Sequence, residues 1–154
     1  MKRALLLAAV GTLTLSACTL VGNPLKKDVT GQLRGFDKDQ KLRLAVVGYN
    51  NGQYTADASE SQLIDKYLTG GFALDLPTNV PFGSYRVVVF RDANRNGRYD
   101  SGDQVISKSN GKLLLYTNTR DAILKGTVKG WNLYDTNTGR LQINLLNNYD
   151  LEIQ

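Results

Sequence analysis

The chain has no histidine, one cysteine, three prolines and two glutamates among its 154 residues. Each scarcity removes a class of chemistry. Without His there is no Ser-His-Asp or Cys-His nucleophile system, no His-ligated zinc site and none of the commonest general base. One Cys forms no intrachain disulfide and no Cys-x-x-Cys centre. Three Pro exclude a proline-rich linker, and no periodic glycine suggests a collagen-like repeat. Charged residues make up 21% and hydrophobic residues 42%, a balance foreign both to disordered polymers and to polytopic membrane proteins. What is abundant is Asp, at 12 of the 14 acidic residues, with 13 Asn and 15 Gly. These residues suit turns and short caps better than helix interiors, so the composition leans towards strands and loops. The length suits one domain.

The longest apolar run is at the start. Met1-Lys2-Arg3 is a basic opening, Ala4 to Leu15 is apolar, and Leu15-Ser16-Ala17-Cys18 follows. Twelve apolar residues are short for a bilayer span but suit a signal peptide. The four residues ending at Cys18 resemble the bacterial lipobox, where cleavage precedes a Cys whose thiol carries diacylglycerol. That resemblance implies a signal peptide over 1–17, a lipidated Cys18 and a tether over 18–28. It accounts for both the presence of this Cys and the absence of others. Thr19, rather than Asp, follows the Cys; in the lipoproteins it resembles, this favours the outer membrane, so the expected location is the cell envelope, anchored by lipid to a membrane. Loss of Lys2 and Arg3 leaves 17 basic against 14 acidic residues, a net charge of +3. So mild a charge, with no basic run beyond Lys26-Lys27, argues against nucleic acid as a partner.

From Val29 to Gln154 the pattern has a period of two. Val29/Gly31/Leu33, Leu42/Leu44/Val46, Phe72/Leu74/Leu76, Tyr85/Val87/Val89 and Leu141/Ile143/Leu145 each alternate with a second set of residues. That is the mark of strands with one face on a core. Asn51-Gly52, Asn110-Gly111 and Asn137-Thr138-Gly139 fall between runs, and Asn-Gly tolerates the positive φ of a tight hairpin. The expected fold is all-β: an antiparallel β-sandwich of about seven to nine strands, prealbumin/Ig-like, filling 29–154. One segment, Ser59 to Leu68, has Leu63, Ile64, Tyr67 and Leu68 at helical spacing and is expected to be a short helix.

One segment carries recognisable chemistry: Asp92-Ala93-Asn94-Arg95-Asn96-Gly97-Arg98-Tyr99-Asp100-Ser101-Gly102-Asp103. Oxygen-bearing side chains stand at positions one, three, five, nine and twelve, with Gly at six. A hard divalent cation needs six or more converging oxygens, and alternate side chains of a tightly wound loop point inwards. The segment resembles the EF-hand-type calcium loop. That resemblance implies Asp92, Asn94, Asn96, Asp100 and Asp103 as side-chain ligands, Arg98 giving its backbone carbonyl, and Ca²⁺ as a structural cofactor. Asp103 stands where the pattern has Glu, and Arg95 and Arg98 add positive charge. Both point to an affinity in the range of extracellular modules, about 10⁻⁵ to 10⁻³ M. The other reading is an Asn/Asp/Gly turn without metal. The flanks, Ser84–Phe90 and Gln104–Ile106, read as strands, so the loop is expected between strands and not between helices. Gly71 to Asp103, with Pro81 and Gly83-Ser84-Tyr85 before the alternating strand, also resembles the carboxypeptidase-regulatory-like, transthyretin-type sandwiches. This resemblance implies the fold and the loop and carries no activity.

Weaker candidates remain. Asp37 and Asp39 diverge from each other as turn residues. Trp131, Tyr134, Tyr49 and Tyr54 would stack sugars if exposed together, although aromatics at strand spacing are more often core or cross-strand pairs. Ser is plentiful without a visible base, and composition leaves only a Ser-Lys pair open. The expected molecule is therefore a lipid-anchored, calcium-binding envelope protein with a structural or ligand-binding role, not an enzyme. Its alternative is a module that binds envelope polysaccharide or another protein through aromatics; an Asp-based hydrolase or accessory domain ranks below both. The anchor is directly testable. The mature wild-type chain should begin at a Cys18 carrying diacylglycerol, seen by mass spectrometry of the N-terminal peptide, and should partition into the detergent phase. Cys18→Ala should lose both; an unchanged mature mass and partitioning would remove the anchor.

Overall fold

The computed structural model describes residues 28–35, 42–63, 71–118, 124–143 and 146–154, without the side chains of 57–63. The leader and tether (1–27), Asp37 to Asp39, and 64–68 of the segment expected to be helical lie outside the described residues. Ten strands follow one another: β1 (Val29–Arg34), β2 (Arg43–Asn50), β3 (Gln53–Leu63), β4 (Gly71–Leu74), β5 (Gly83–Arg91), β6 (Gln104–Val105), β7 (Lys112–Thr117), β8 (Gly130–Asp135), β9 (Arg140–Gln142) and β10 (Leu151–Glu152). They form a seven-stranded sheet in the order β3-β2-β5-β7-β8-β9, with β6 also on β5, and a three-stranded sheet, β10-β1-β4. The protein is all-β and sandwich-like, as the alternation implied. Pairing is antiparallel except between β1 and β10, which run parallel.

The alternation decides what each sheet buries. Val29, Leu33, Phe72 and Leu74 of the small sheet meet Leu44, Val46, Tyr85, Val87, Val89, Leu114 and Leu133 of the large one in a single cluster. Intervening residues Ala45, Val47, Val88 and Phe90 are buried on the opposite face, packed with Tyr54 and Tyr99. β1 approaches the chain before β10 so closely that a Cβ on Gly31 would stand 2.2 Å from the Tyr149 carbonyl oxygen. No larger residue fits there without moving backbone.

Three expectations are corrected. Residues 59–63 are strand, not helix: Leu63 pairs with Arg43 and Glu60 with Val46. The hairpin begins at Asn51-Gly52, where both φ are positive (49° and 83°), and ladder bonds along β2 outweigh a short helix of marginal stability. In the run Leu141–Leu146, β9 ends at Gln142; Ile143 is exposed, residues 144–145 lie outside the described residues, and Leu146 meets the small sheet, where its carbonyl accepts the Thr30 N–H. Asn110-Gly111 closes no hairpin between Val105–Ser107 and Leu113–Leu115. Instead, β6 and β7 both pair with the same side of β5, at Phe90↔Val105 and Tyr85↔Leu114. They are one interrupted strand, with nine positions of chain where β5 offers five.

That interruption leaves the N–H groups of Val87 and Val89 without a strand partner. Side chains supply it. The Tyr149 hydroxyl accepts from Val87 N at 3.1 Å and donates to the Lys112 carbonyl at 3.2 Å; Ser107 Oγ accepts from Val89 N at 2.9 Å. Tyr149 is wholly buried, and burial pushes its pKa well above the ordinary tyrosine range, so the bridge stays protonated. Tyr149→Phe keeps the ring and orphans two buried groups. It should cost about 1–3 kcal/mol, read as a lower denaturant midpoint at unchanged slope. A midpoint equal to wild type would show that the hydroxyl is dispensable.

Candidate metal-binding loop

β5 ends at Arg91 and β6 begins at Gln104, and these two residues pair. Asp92 to Asp103 is therefore the whole connection of an antiparallel hairpin, the strand-to-strand setting expected from its flanks. Within it the side chains wrap inward onto backbone N–H groups. Asp92 Oδ1 accepts from Asn96 N at 3.1 Å, and Oδ2 from Gly97 N at 3.0 Å. Asn94 Oδ1 accepts from Asn96 N and Asn96 Oδ1 from Arg98 N, two successive Asx turns. Arg95 and Gly97 adopt positive φ, 59° and 82°, which winds the loop tightly.

Asp100 lies where the loop closes. Its Oδ2 accepts from Asn94 Nδ2 and Asn96 Nδ2, both at 2.7 Å, and its Oδ1 from Gly102 N at 3.0 Å. The Asn94 bond first, then those of Gly102 and Asn96, hold its carboxyl below the usual aspartate range. Asp103 stands apart from this set: its Oδ1 accepts from Ala93 N and its Oδ2 from Asp100 N, tying the two ends of the loop together. The structure thus brings Asp92, Asn94, Asn96 and Asp100 into one hydrogen-bonded set and engages Asp103 on backbone beside it. Cys18 lies outside the described residues.

Two further residues hold the loop, and neither was singled out from the sequence. Arg43 at the start of β2 donates from Nε to Asp92 Oδ2 at 2.7 Å, and its guanidinium lies against Gly97. The Asp92 side chain is 9% exposed, so this is a partly buried pair. Tyr99 packs edge-on against Phe90 and Tyr54, with ring centroids 5.5 and 6.4 Å apart, and Tyr54 in turn meets Tyr49. Burial, then the neighbouring Tyr54, Asp103 and Asp100, raise the Tyr99 pKa. The signal for Arg43 was present: its place opposite Phe90 puts it at the strand end from which the loop departs.

The donor set fits a hard cation in type and order, being entirely carboxylate, amide and carbonyl oxygen. It does not fit by carboxylate convergence. Among the described residues no three of His, Cys, Asp or Glu are close enough to hold a metal. The two amides point nitrogen, not oxygen, at Asp100, so amide protons and Arg43 supply the positive charge that the carboxylates require.

The four aromatic candidates do not all share a face: Trp131 is on the core side of the large sheet, and Tyr49, Tyr54 and Tyr134 are on the other. The Trp131 ring packs on Tyr85 and Tyr116 towards the core, and its Nε1 donates to the Pro77 carbonyl. Tyr134 belongs to the alternate set of β8, and Tyr49 and Tyr54 form a cross-strand pair under Arg86. A cleft of about 220 Å³ between Arg34, Lys108, Asp150 and Glu152 pairs its charges internally: Arg34 with Asp150, and Lys108 with Glu152. No protein-family model, curated protein or solved structure matches the chain.

Asp100 gives the loop a pH dependence. Its folded pKa is depressed, so its contribution is present above the ordinary aspartate pKa of about 3.9 and lost as pH falls through the lower folded value. The Asn94 and Asn96 side-chain amide NMR signals should hold from neutral pH to about pH 5 and then move in acid below about pH 4. Asp100→Asn should remove that transition; a transition that survived would belong to another carboxyl.

Proposed function

We propose that the chain is a lipid-anchored, calcium-binding protein of the bacterial cell envelope whose role is structural or ligand-binding rather than catalytic. One observation carries the calcium reading: the D-x-N-x-N-G-x-x-D side chains, Asp92, Asn94, Asn96 and Asp100, gather within one tightly wound hairpin loop. Asp92 and Asp100 supply carboxylate, Asn94 and Asn96 amide oxygen once their amides turn, and Arg98 its carbonyl. Asp103 joins them by leaving the N–H groups of Ala93 and Asp100. When bound, calcium supplies the charge that amide protons and Arg43 otherwise provide. It would then fasten the ends of β5 and β6, a staple and not a switch.

The non-catalytic reading is supported by a sequence without His and by the lack, among the described residues, of a cluster of three His, Cys, Asp or Glu. The polysaccharide- or protein-binding alternative through aromatics has less support, because Trp131 faces the core and Tyr49 and Tyr54 hold one another. The envelope location rests on the resemblance of Leu15-Ser16-Ala17-Cys18 to the lipobox.

A ligand that binds only the folded state stabilises it by about 2.7 kcal/mol at a hundredfold excess over Kd. Millimolar Ca²⁺ should therefore raise the melting temperature and a chelator lower it. Mg²⁺ should do less, since it demands a small octahedral cage and dehydrates reluctantly. Asp92→Ala should abolish the calcium-dependent difference. That difference is the readout, because losing the Arg43 partner lowers the melting temperature by itself. Identical melts with and without Ca²⁺, and no heat in a calorimetric titration, would reduce the loop to a metal-free turn.

A further inference from the structure

The strand registers give the sandwich two distinct ends. Asp92–Asp103 caps one. At the other lie the start of β5 at Gly83, its partner Tyr116, and Trp131 opposite Tyr116. The Pro77–Phe82 segment is fixed there by three aromatic tips: Trp131 Nε1 donates to Pro77 O at 2.9 Å, Tyr116 hydroxyl to Thr78 O at 3.0 Å, and Tyr85 hydroxyl to Pro81 O. The chain joins the sandwich at this same end. Asp28 N donates to Leu74 O, and Asp28 Oδ2 accepts from Leu76 N, immediately before Pro77.

Two large hydrophobic residues are exposed among the described residues, Phe82 at 49% and Ile143 at 40%. Both lie towards this end. Phe82 directly precedes Gly83, and Ile143 follows Gln142, one step past its pairing with Leu133 in the direction of Gly130. Exposed Lys125 and Lys129 belong to the connection between Thr117 and Gly130, which closes the same end. Among the described residues, the carboxylate of Asp28 is turned onto backbone and Asp75 has a partner of its own.

We propose that this end is a second membrane contact: Phe82, with Ile143 and the two lysines towards the same end, rests in the interface of the bilayer that holds the lipid anchor, leaving the Asp92–Asp103 loop facing away. The inference rests on the lipidation of Cys18. Ten residues from Cys18 to Asp28 span at most about 35 Å, so the bilayer is always within reach of the end from which the tether leaves. Once anchored, docking is intramolecular, and a contact too weak to bind a free protein is enough. An aromatic ring on a hydrogen-bonded loop, with cations at the same end, is the side-chain set that settles at a lipid–water interface. The loop is hydrogen-bonded already, so docking orders little further chain.

A lipidated Cys18 leaves no free thiol, so one introduced Cys can carry a nitroxide. Full-length protein would be placed in phosphatidylethanolamine/phosphatidylglycerol vesicles and labelled at Asn79→Cys, beside Phe82, or at Thr138→Cys, towards the far end. Collision with oxygen and with an aqueous nickel chelate then reads depth. The Asn79 label should favour oxygen and be shielded from nickel, and the Thr138 label should behave as in water. Phe82→Ser in the Asn79→Cys background should lose that shielding with an unchanged melting temperature. With the diacylglyceryl mass present on Cys18, an Asn79 label as aqueous as the Thr138 label overturns the docking and leaves the anchor standing; so does shielding that survives Phe82→Ser. A mature chain without that mass overturns both.

Discussion

A buried hydroxyl at the middle of β5 fixes how this sandwich is put together. β5 is the central strand of the large sheet, and the strand that should flank it on one side is broken between β6 and β7. A central strand with bare N–H groups in an apolar core would cost about 1–3 kcal/mol for each unsatisfied donor. Tyr149 answers this from the other sheet. Its backbone N–H is bonded to the Thr30 carbonyl of β1, while its hydroxyl lies between Val87 and Lys112. One residue is thus a ladder partner for the small sheet and a surrogate strand for the large one. The glycine at position 31 is the complement of that arrangement, since the two backbones touch there.

The same break explains the shape of the Asp92–Asp103 hairpin. β6 follows β5 for two pairs, and Ile106 and Ser107 bond to Val89 before the chain departs towards the C-terminal segment, where Ser107 bridges Ile153. A twelve-residue loop on so short a second strand needs its own fastening. It has an internal one, in which Asx turns, Asp100 and Asp103 close the ring. It has an external one in Arg43 and Tyr99, which tie it to β2 and to the outer face of β5. The internal one is polar and local; the external one is an ion pair and aromatic edges contributed from elsewhere in the chain.

The sequence carried most of this where a signal was local. Alternation located β1, β2, β4 and β5 because each has one face on the core. Asn51-Gly52 marked a true hairpin, and the loop was visible from the spacing of its oxygen-bearing residues. What was not legible depended on contacts distant in the chain. Asn110-Gly111 has hairpin composition, but the flanking runs share β5 as a partner and so never meet each other. Leu63, Ile64, Tyr67 and Leu68 have helical spacing, yet a hairpin zipped from Gln53 captures the first of them. Arg43 and Tyr99 look ordinary until β2 is set beside β5. Tyr149 lies in no strand at all, and nothing near it in the chain announces that its hydroxyl will complete a sheet.

The register shift between β2 and β3 has a bearing on edge-to-edge pairing. From Val46 to Gly48 β2 advances two positions, while β3 runs from Glu60 to Thr55. The surplus residues bulge the outermost strand of the large sheet, whose only partner among the described residues is β2. A straight eleven-residue edge would offer a template on which a neighbouring chain could add a strand. A kinked edge cannot be matched by an extended segment over more than a few residues. The bulge thus leaves the long open border of this sheet a poor template for a second chain.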